Sequence, residues 1–421
     1  MDLELTAVFE EWNSYADKQE LRPRHMNLRS IIKNSKLKVI SITGVRRGGK
    51  TSILLLLKKI LQEEKEKQAY INVEDSRMQE SSNMLAELVK WFGDRGTLLI
   101  DEITNAKDWA NWLARNHEML KGKLNILISS SRHAITKTSK ALRGRIISYE
   151  VYPLSFKEFL EFNKINIEKT TAGIGVAENQ LKEYLMYGGF PEVVLLSDKT
   201  EKVRLLNAYF RDIIGLDVAE IAKEKISIVE VFGKYVLSGS YFSASKCLNF
   251  FKSLGYKIAK QSILELERHA QDSYLYFFVT IFSYNIKDKN QYPRKAYTVD
   301  NGFYYAILGK NDMGRLFENA VLLELKRRIS MNEEINYWKN KEGAEVDFIV
   351  RSGQTIKKII QVVYDLKEEK TKEREIKGIV ECAKELKLNE GLVITKDYEA
   401  IEKRDAIKIK FIPLWKWLLS Q

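Results

Sequence analysis

Apolar runs alternate with polar, glycine-bearing turns over the first third of the chain. Within residues 37–43, Val39, Ile40 and Ile42 form a nearly continuous apolar run, as expected of a parallel strand buried on both faces. A Gly-rich turn follows, and residues 51–62 then place Leu and Ile on several faces of a helix that runs into a charged tail. Strands at 69–73, 97–100 and 124–129 and helices at 82–92 and 109–120 continue the alternation. Strand and helix in succession predict an open, doubly wound parallel α/β sheet. From residue 153 the pattern turns helical (154–162, 179–187) until Gly188-Gly189-Phe190-Pro191 breaks it.

Three amphipathic helices come next, at 226–237, 243–254 and 258–269. A strand at 274–283, a polar tip at 285–294 and a return strand at 296–299 follow, which is the outline of a winged helix. The last hundred residues alternate helix and strand again as a small α/β domain. The expected domains are 1–152, a P-loop core; 153–222, a helical subdomain; 223–312, the winged helix; and 313–421, the terminal domain.

Composition narrows the field. Lys and Arg number 69 against 57 Asp and Glu, a net charge of +12. An acidic partner such as nucleic acid fits that balance, although the excess is spread along the chain rather than gathered in a tail. Cys247 and Cys382 are too far apart for a metal knuckle or redox pair, and His25, His117, His133 and His269 show no metal spacing. The first ten residues lack the basic-then-apolar pattern of an export signal. The longest apolar stretch, 274–284, is about half the roughly 20 residues a membrane span needs. A cytoplasmic protein is expected.

Gly44-Val45-Arg46-Arg47-Gly48-Gly49-Lys50-Thr51 matches the phosphate-loop pattern between a predicted strand and a predicted helix, with Ser52 next in the helix. Glycines let the backbone approach a polyphosphate, successive N–H groups point at its oxygens, and Lys50 adds a positive charge. The Thr51 hydroxyl is the expected Mg²⁺ ligand. Leu98-Leu99-Ile100-Asp101-Glu102 delivers two carboxylates to the sheet edge where open α/β folds bind ligands. Asp101 is expected to hold the metal's water shell, and Glu102 to orient or deprotonate an attacking water. A hydroxyl of Ser129-Ser130-Ser131 could meet the γ-phosphate or serve as a turn former. Arg143 and Arg145 could supply positive charge to a transition state, or be solvated surface charges.

Together with Ile103 and Trp109 after the acid pair, Leu142-Arg143-Gly144-Arg145, Pro153-Leu154-Ser155-Phe156, Glu158-Phe159 and Gly188-Gly189-Phe190-Pro191, these residues resemble the AAA-superfamily ATPases common in archaea. Those proteins carry a winged helix and a C-terminal restriction-endonuclease-like domain. The resemblance implies ATP binding and hydrolysis with Mg²⁺. It also implies a polar sensor at Ser130 and an arginine finger at Arg143 or Arg145, acting within its own subunit or on a neighbour in a homo-oligomer.

In the winged-helix segment, helix 258–269 offers Lys260, Gln261, Ser262 and Arg268, preceded by Lys257; the hairpin tip adds Lys287, Lys289, Arg294 and Lys295. A basic helix and a basic wing make a DNA footprint, while winged helices also serve as protein-binding modules. The terminal domain places Glu318 on a helix and Asp347 on a strand, as its nuclease-like resemblance requires. The next strand should carry Glu-x-Lys and reads Gln361-Val362-Val363, so metal-dependent cleavage is not expected. The function expected is an ATPase whose nucleotide state governs DNA binding or remodelling; the alternative is a signalling or scaffold ATPase holding a protein partner.

Overall fold

The computed structural model describes residues 2–132, 140–285 and 292–420. It divides into two compact units, Met1–Tyr152 with Asp272–Tyr274, and Pro153–Gln271 with Leu275–Gln421.

The first unit is built on a five-stranded parallel sheet. Its strands are β1 (Val39–Gly44), β2 (Gln68–Asn72), β3 (Gly96–Asp101), β4 (Leu124–Ser130) and β5 (Ile146–Val151), in the order β2-β3-β4-β1-β5. Alternate residues feed two cores, as a pleated strand requires. Ile40, Ile42, Tyr70, Leu99 and Leu127 pack with the helix Lys50–Glu63 on one face. Val39, Ile71, Leu98, Ile100 and Ile128 pack on the other with the helices Leu3–Asp17, Met84–Phe92 and Trp109–Met119. The helices Leu3–Asp17 and Leu28–Ser35 were not among the predicted elements.

The second unit opens with helices. A reciprocal cap, Ser155 accepting from the Glu158 N–H while the Glu158 carboxylate accepts from the Ser155 N–H, starts the helix Phe156–Phe162. The break at 188–191 has a packing cause. Gly188 has φ +77°, and a Cβ there would lie 1.5 Å from the Asp300 carboxylate. Asp300 is buried and accepts from the N–H groups of Gly189 at 2.7 Å and Gly302 at 2.8 Å.

The helices Ile226–Ser238, Ala244–Ser253 and Lys260–Asp272 follow. They accompany a small antiparallel sheet of β6 (Tyr241–Phe242), β7 (Tyr276–Val279) and β8 (Arg294–Thr298), in the order β6-β8-β7. The terminal part holds six strands: β9 (Glu333–Lys339), β10 (Glu345–Ser352), β11 (Thr355–Val363), β12 (Glu390–Thr395), β13 (Ala400–Arg404) and β14 (Ile407–Pro413). Their order is β13-β14-β12-β11-β10-β9, with β11, β12 and β14 parallel. Among the described residues no helix is long and apolar enough to cross a membrane.

Candidate functional site

The loop after β1 takes the backbone path that its glycines permit. A Cβ on Gly44 would meet the Val151 carbonyl at 2.1 Å, so only glycine lets β1 turn beside β5. Arg47 adopts φ +66°, and Gly49 precedes the first turn of the helix Lys50–Glu63. Lys50 is buried, with its Nζ 3.2 Å from Glu102 Oε1 and 3.3 Å from the Val45 carbonyl. Arg46 pairs with Glu74 at 3.2 Å.

Asp101 ends β3, two strands from β1, and is wholly buried. Three hydroxyls converge on it. Thr51 donates to Oδ2 at 2.6 Å, Tyr70 donates to the same oxygen at 2.9 Å, and Ser129 donates to Oδ1. Burial, followed by the neighbouring charge of Glu102, pushes its carboxyl above the usual range, and the hydroxyl donors oppose that rise. Glu102 has φ +49°, an uncommon conformation for a side-chain-bearing residue and a frequent mark of functional sites. Its N–H donates to Ser129 Oγ at 2.9 Å, and its Oε2 accepts from the Ser131 N–H at 3.1 Å.

The predicted loop and acid pair therefore meet at one place. Ser129, rather than Ser130, binds the acid pair; the Ser130 hydroxyl accepts from the Arg132 N–H at 3.1 Å. Alternation along β4 decides which serine faces Asp101. Tyr70 carried no motif signal.

The candidate finger residues lie elsewhere in the unit. The Val39 N–H donates to the Arg145 carbonyl at 3.0 Å, so Arg145 stands at the N-terminal edge of the sheet, while Gly44 leaves the opposite edge beside Val151. Five strand steps separate those edges by about 17 Å, longer than an arginine side chain. Arg145 is also paired with Glu118 at 2.8 Å, and Arg143, two residues earlier, is exposed. Neither reaches the phosphate loop of its own chain in this arrangement.

In the second unit, Lys257, Lys260, Gln261 and Arg268 are exposed and Ser262 is half-buried, with Gln261 donating to Glu265 at 3.2 Å. Lys287, Lys289 and His133 lie outside the described residues. Arg294 and Lys295 turn inward. Arg294 pairs with the buried Glu267, whose carboxyl burial pushes up to about 7 against the opposing pull of Arg294. Lys295 Nζ lies 2.9 Å from Glu318, 2.8 Å from Glu345 and 2.7 Å from Asp347. Burial disfavours its charge, but Asp347 and Glu318 outweigh that and hold the ammonium protonated. Gln361 accepts from the Asp347 N–H at 3.1 Å and donates to Glu375 at 2.6 Å.

Residues 36–160 match the family model described as an AAA domain. Residues 178–314 and 313–417 match two domains of unknown function, DUF8612 and DUF4143. The uncharacterized protein MJ1544 of Methanocaldococcus jannaschii is 34% identical over 403 residues, covering 92% of this chain and 89% of that protein. An uncharacterized protein of Haemophilus influenzae is 27% identical, covering 90% and 94%. Among solved structures, AMPPCP-bound DnaA from Aquifex aeolicus is 17% identical, with a TM-score of 0.28, covering 59% of this chain and 86% of that one. A superposition that loose carries no argument about ligand or partner. The parallel sheet and the matched domain agree, and the chain belongs to the family of MJ1544, with a P-loop AAA domain at residues 36–160.

Proposed function

We propose that this protein binds and hydrolyses ATP with Mg²⁺ at the loop Gly44–Thr51 and uses the bound state to govern DNA engagement through residues 226–298. The observation that carries the reading is the convergence of Lys50, Thr51, Asp101 and Glu102 at the mouth of one phosphate loop. Thr51 and Asp101, already in contact, would hold the metal, which supplies charge neutralisation to the phosphates. Among the described residues no group of three or more His, Cys, Asp or Glu is arranged to hold a metal alone. Mg²⁺ needs only one or two protein ligands beside water and substrate phosphates. Phosphates draw Lys50 to themselves, and Glu102 is then free to accept a proton from the attacking water. Ser129 keeps both acids in place. A finger arginine would come from a neighbouring copy.

The order helix, strand, helix, helix, strand, strand over 226–298 supports a winged helix, with Lys260–Asp272 as its reading helix. Its exposed cations would meet phosphates, since Arg294 and Lys295 are engaged internally. The mixed terminal sheet supports a restriction-endonuclease-like fold without cleavage chemistry, because an ammonium occupies the centre of its carboxylates. The exposed Leu254 and Leu264 favour the second reading, a scaffold ATPase holding a protein partner.

Nucleotide titration of the full chain tests the core reading: wild type should bind ATP with Mg²⁺, and Lys50→Ala should not. No binding by wild type overturns it. Salt separates the two partners. DNA affinity should fall log-linearly with salt, with a slope near −0.9 per neutralised phosphate for duplex, whereas a flat response or no DNA binding favours the protein partner.

A further inference from the structure

The chain enters the nucleotide-loop unit a second time, for three residues. Asp272, Ser273 and Tyr274 pack with residues 1–152, while Gln271 before them and Leu275 after them belong to the other unit. Tyr274 is buried, 1% exposed, with its ring edge-on to Tyr152 at 6.5 Å. Its hydroxyl donates to Thr43 Oγ1 at 2.8 Å and to Glu150 Oε1 at 3.2 Å, one proton shared between the two. Tyr152 donates to the other Glu150 oxygen. Thr43 immediately precedes Gly44, where the phosphate loop leaves β1. Tyr274 also holds φ +63°, a conformation that costs a side-chain-bearing residue roughly 1–3 kcal/mol and persists where surroundings over-determine it.

What flanks this anchor gives it meaning. Asp272 is the last residue of the helix Lys260–Asp272, and Tyr276 opens β7. Residues 260–279 contain no glycine and no proline, so the covalent path from helix to anchor to strand has no flexible joint. A displacement at Thr43 would thus be felt within two residues by the helix that carries the exposed Lys260, Gln261 and Arg268.

We propose that Tyr274 is a positioning residue that ties the base of the phosphate loop to helix 260–272, so that nucleotide occupancy is transmitted to that helix through the phenol. This rests on the nucleotide reading above and adds its route of regulation. Nucleotide closing the loop shifts the Thr43–Gly44 hinge, the hydroxyl follows, and the end of the helix is drawn with it. A purely structural anchor would hold the same contacts and transmit nothing.

Hydrogen exchange on the full chain, with and without a non-hydrolysable ATP analogue and Mg²⁺, separates these. Wild type should show a several-fold nucleotide-dependent change in exchange across 260–272. Tyr274→Phe, which keeps the ring and removes the hydroxyl, should still bind the analogue and lose that change. An unaltered response in Tyr274→Phe overturns the proposal, as does a wild type that binds the analogue with no change in 260–272. Should Tyr274→Phe not fold, Thr43→Val removes the phenol's partner at the base of the loop and is read in the same way. If wild type binds no nucleotide at all, the nucleotide reading falls and takes this one with it.

Discussion

Lys50 and Glu102 hold each other: their charged atoms lie 3.2 Å apart, and the side chains are only 5% and 12% exposed. The group suited to gripping phosphates and the group suited to taking a proton are thus each other's counter-ions until a ligand parts them.

Glu102→Gln should separate the two roles. Removing the carboxylate frees Lys50, so ADP should bind several-fold more tightly by calorimetry. Turnover, followed as phosphate release, should drop by about 10²–10⁴-fold, the range for a lost general base. Weakened ADP binding, or turnover at the wild-type rate, would show that the pair does not compete with nucleotide.

Tyr70→Phe addresses the buried acid. Tyr70 and Thr51 share one oxygen of Asp101, and loss of a donor to a buried group costs about 1–3 kcal/mol. The urea midpoint should fall accordingly, and the Mg²⁺ concentration for half-maximal turnover should rise. Unchanged values in both would mean that Thr51 and Ser129 suffice to orient Asp101.

Glu267 makes stability depend on pH in a definite direction. Burial raises its folded-state pKa to about 7, above the 4.5 of an ordinary glutamate, so the folded state favours the neutral acid. That contribution is complete below about pH 4.5 and is lost as pH rises through 7. The upward shift is worth about 3 kcal/mol at 1.36 kcal/mol per unit. Glu267→Gln should therefore gain on wild type by about that amount between pH 4.5 and 8, read from urea midpoints at each pH. A difference that stays constant across this range would contradict the assignment.

Much of the nucleotide site was legible because its signals are local. β1, its loop and the following helix are contiguous, and the apolar run of β3 ends at its acids. Features set by side-chain parity or distant approach were not. Ser129 and Ser130 are indistinguishable as neighbours until the pleat turns the first toward Asp101. The strand expected at 274–283 shortens to Tyr276–Val279, because Tyr274 is taken into the other unit and the backbone of Thr280 and Phe282 bonds instead to Tyr337. The helix Leu3–Asp17 buries Leu5, Val8 and Phe9 at helical spacing, with Glu4, Glu10 and Glu11 flanking that short stripe, so this element was there to be found. β13 buries none of its residues, so no apolar alternation marked it. Two of the expected wing cations, Arg294 and Lys295, turn inward for a related reason: Lys295 is separated by 23 to 52 positions from the carboxylates that claim it.

Lys295→Met should be severely destabilising. Stripping one partner from a buried ionic cluster leaves uncompensated charge and typically costs about 3–5 kcal/mol. Thermal melting of the full chain measures this, and a shift of less than a degree would refute the cluster's role. Wild type should show no Mg²⁺-dependent DNA cleavage, since the Lys295 ammonium already engages Glu318, Glu345 and Asp347.

That ammonium also decides where the polypeptide can be cut. A fragment beginning at residue 313, where the terminal domain's family match begins, would leave behind the strand that carries Lys295 while retaining all three acids. Such a piece would face mutual repulsion at its own centre. Dissection for biochemistry must therefore keep Arg294–Thr298 with the terminal sheet, for the inherited boundary between these modules runs through a shared electrostatic knot rather than between two finished bodies.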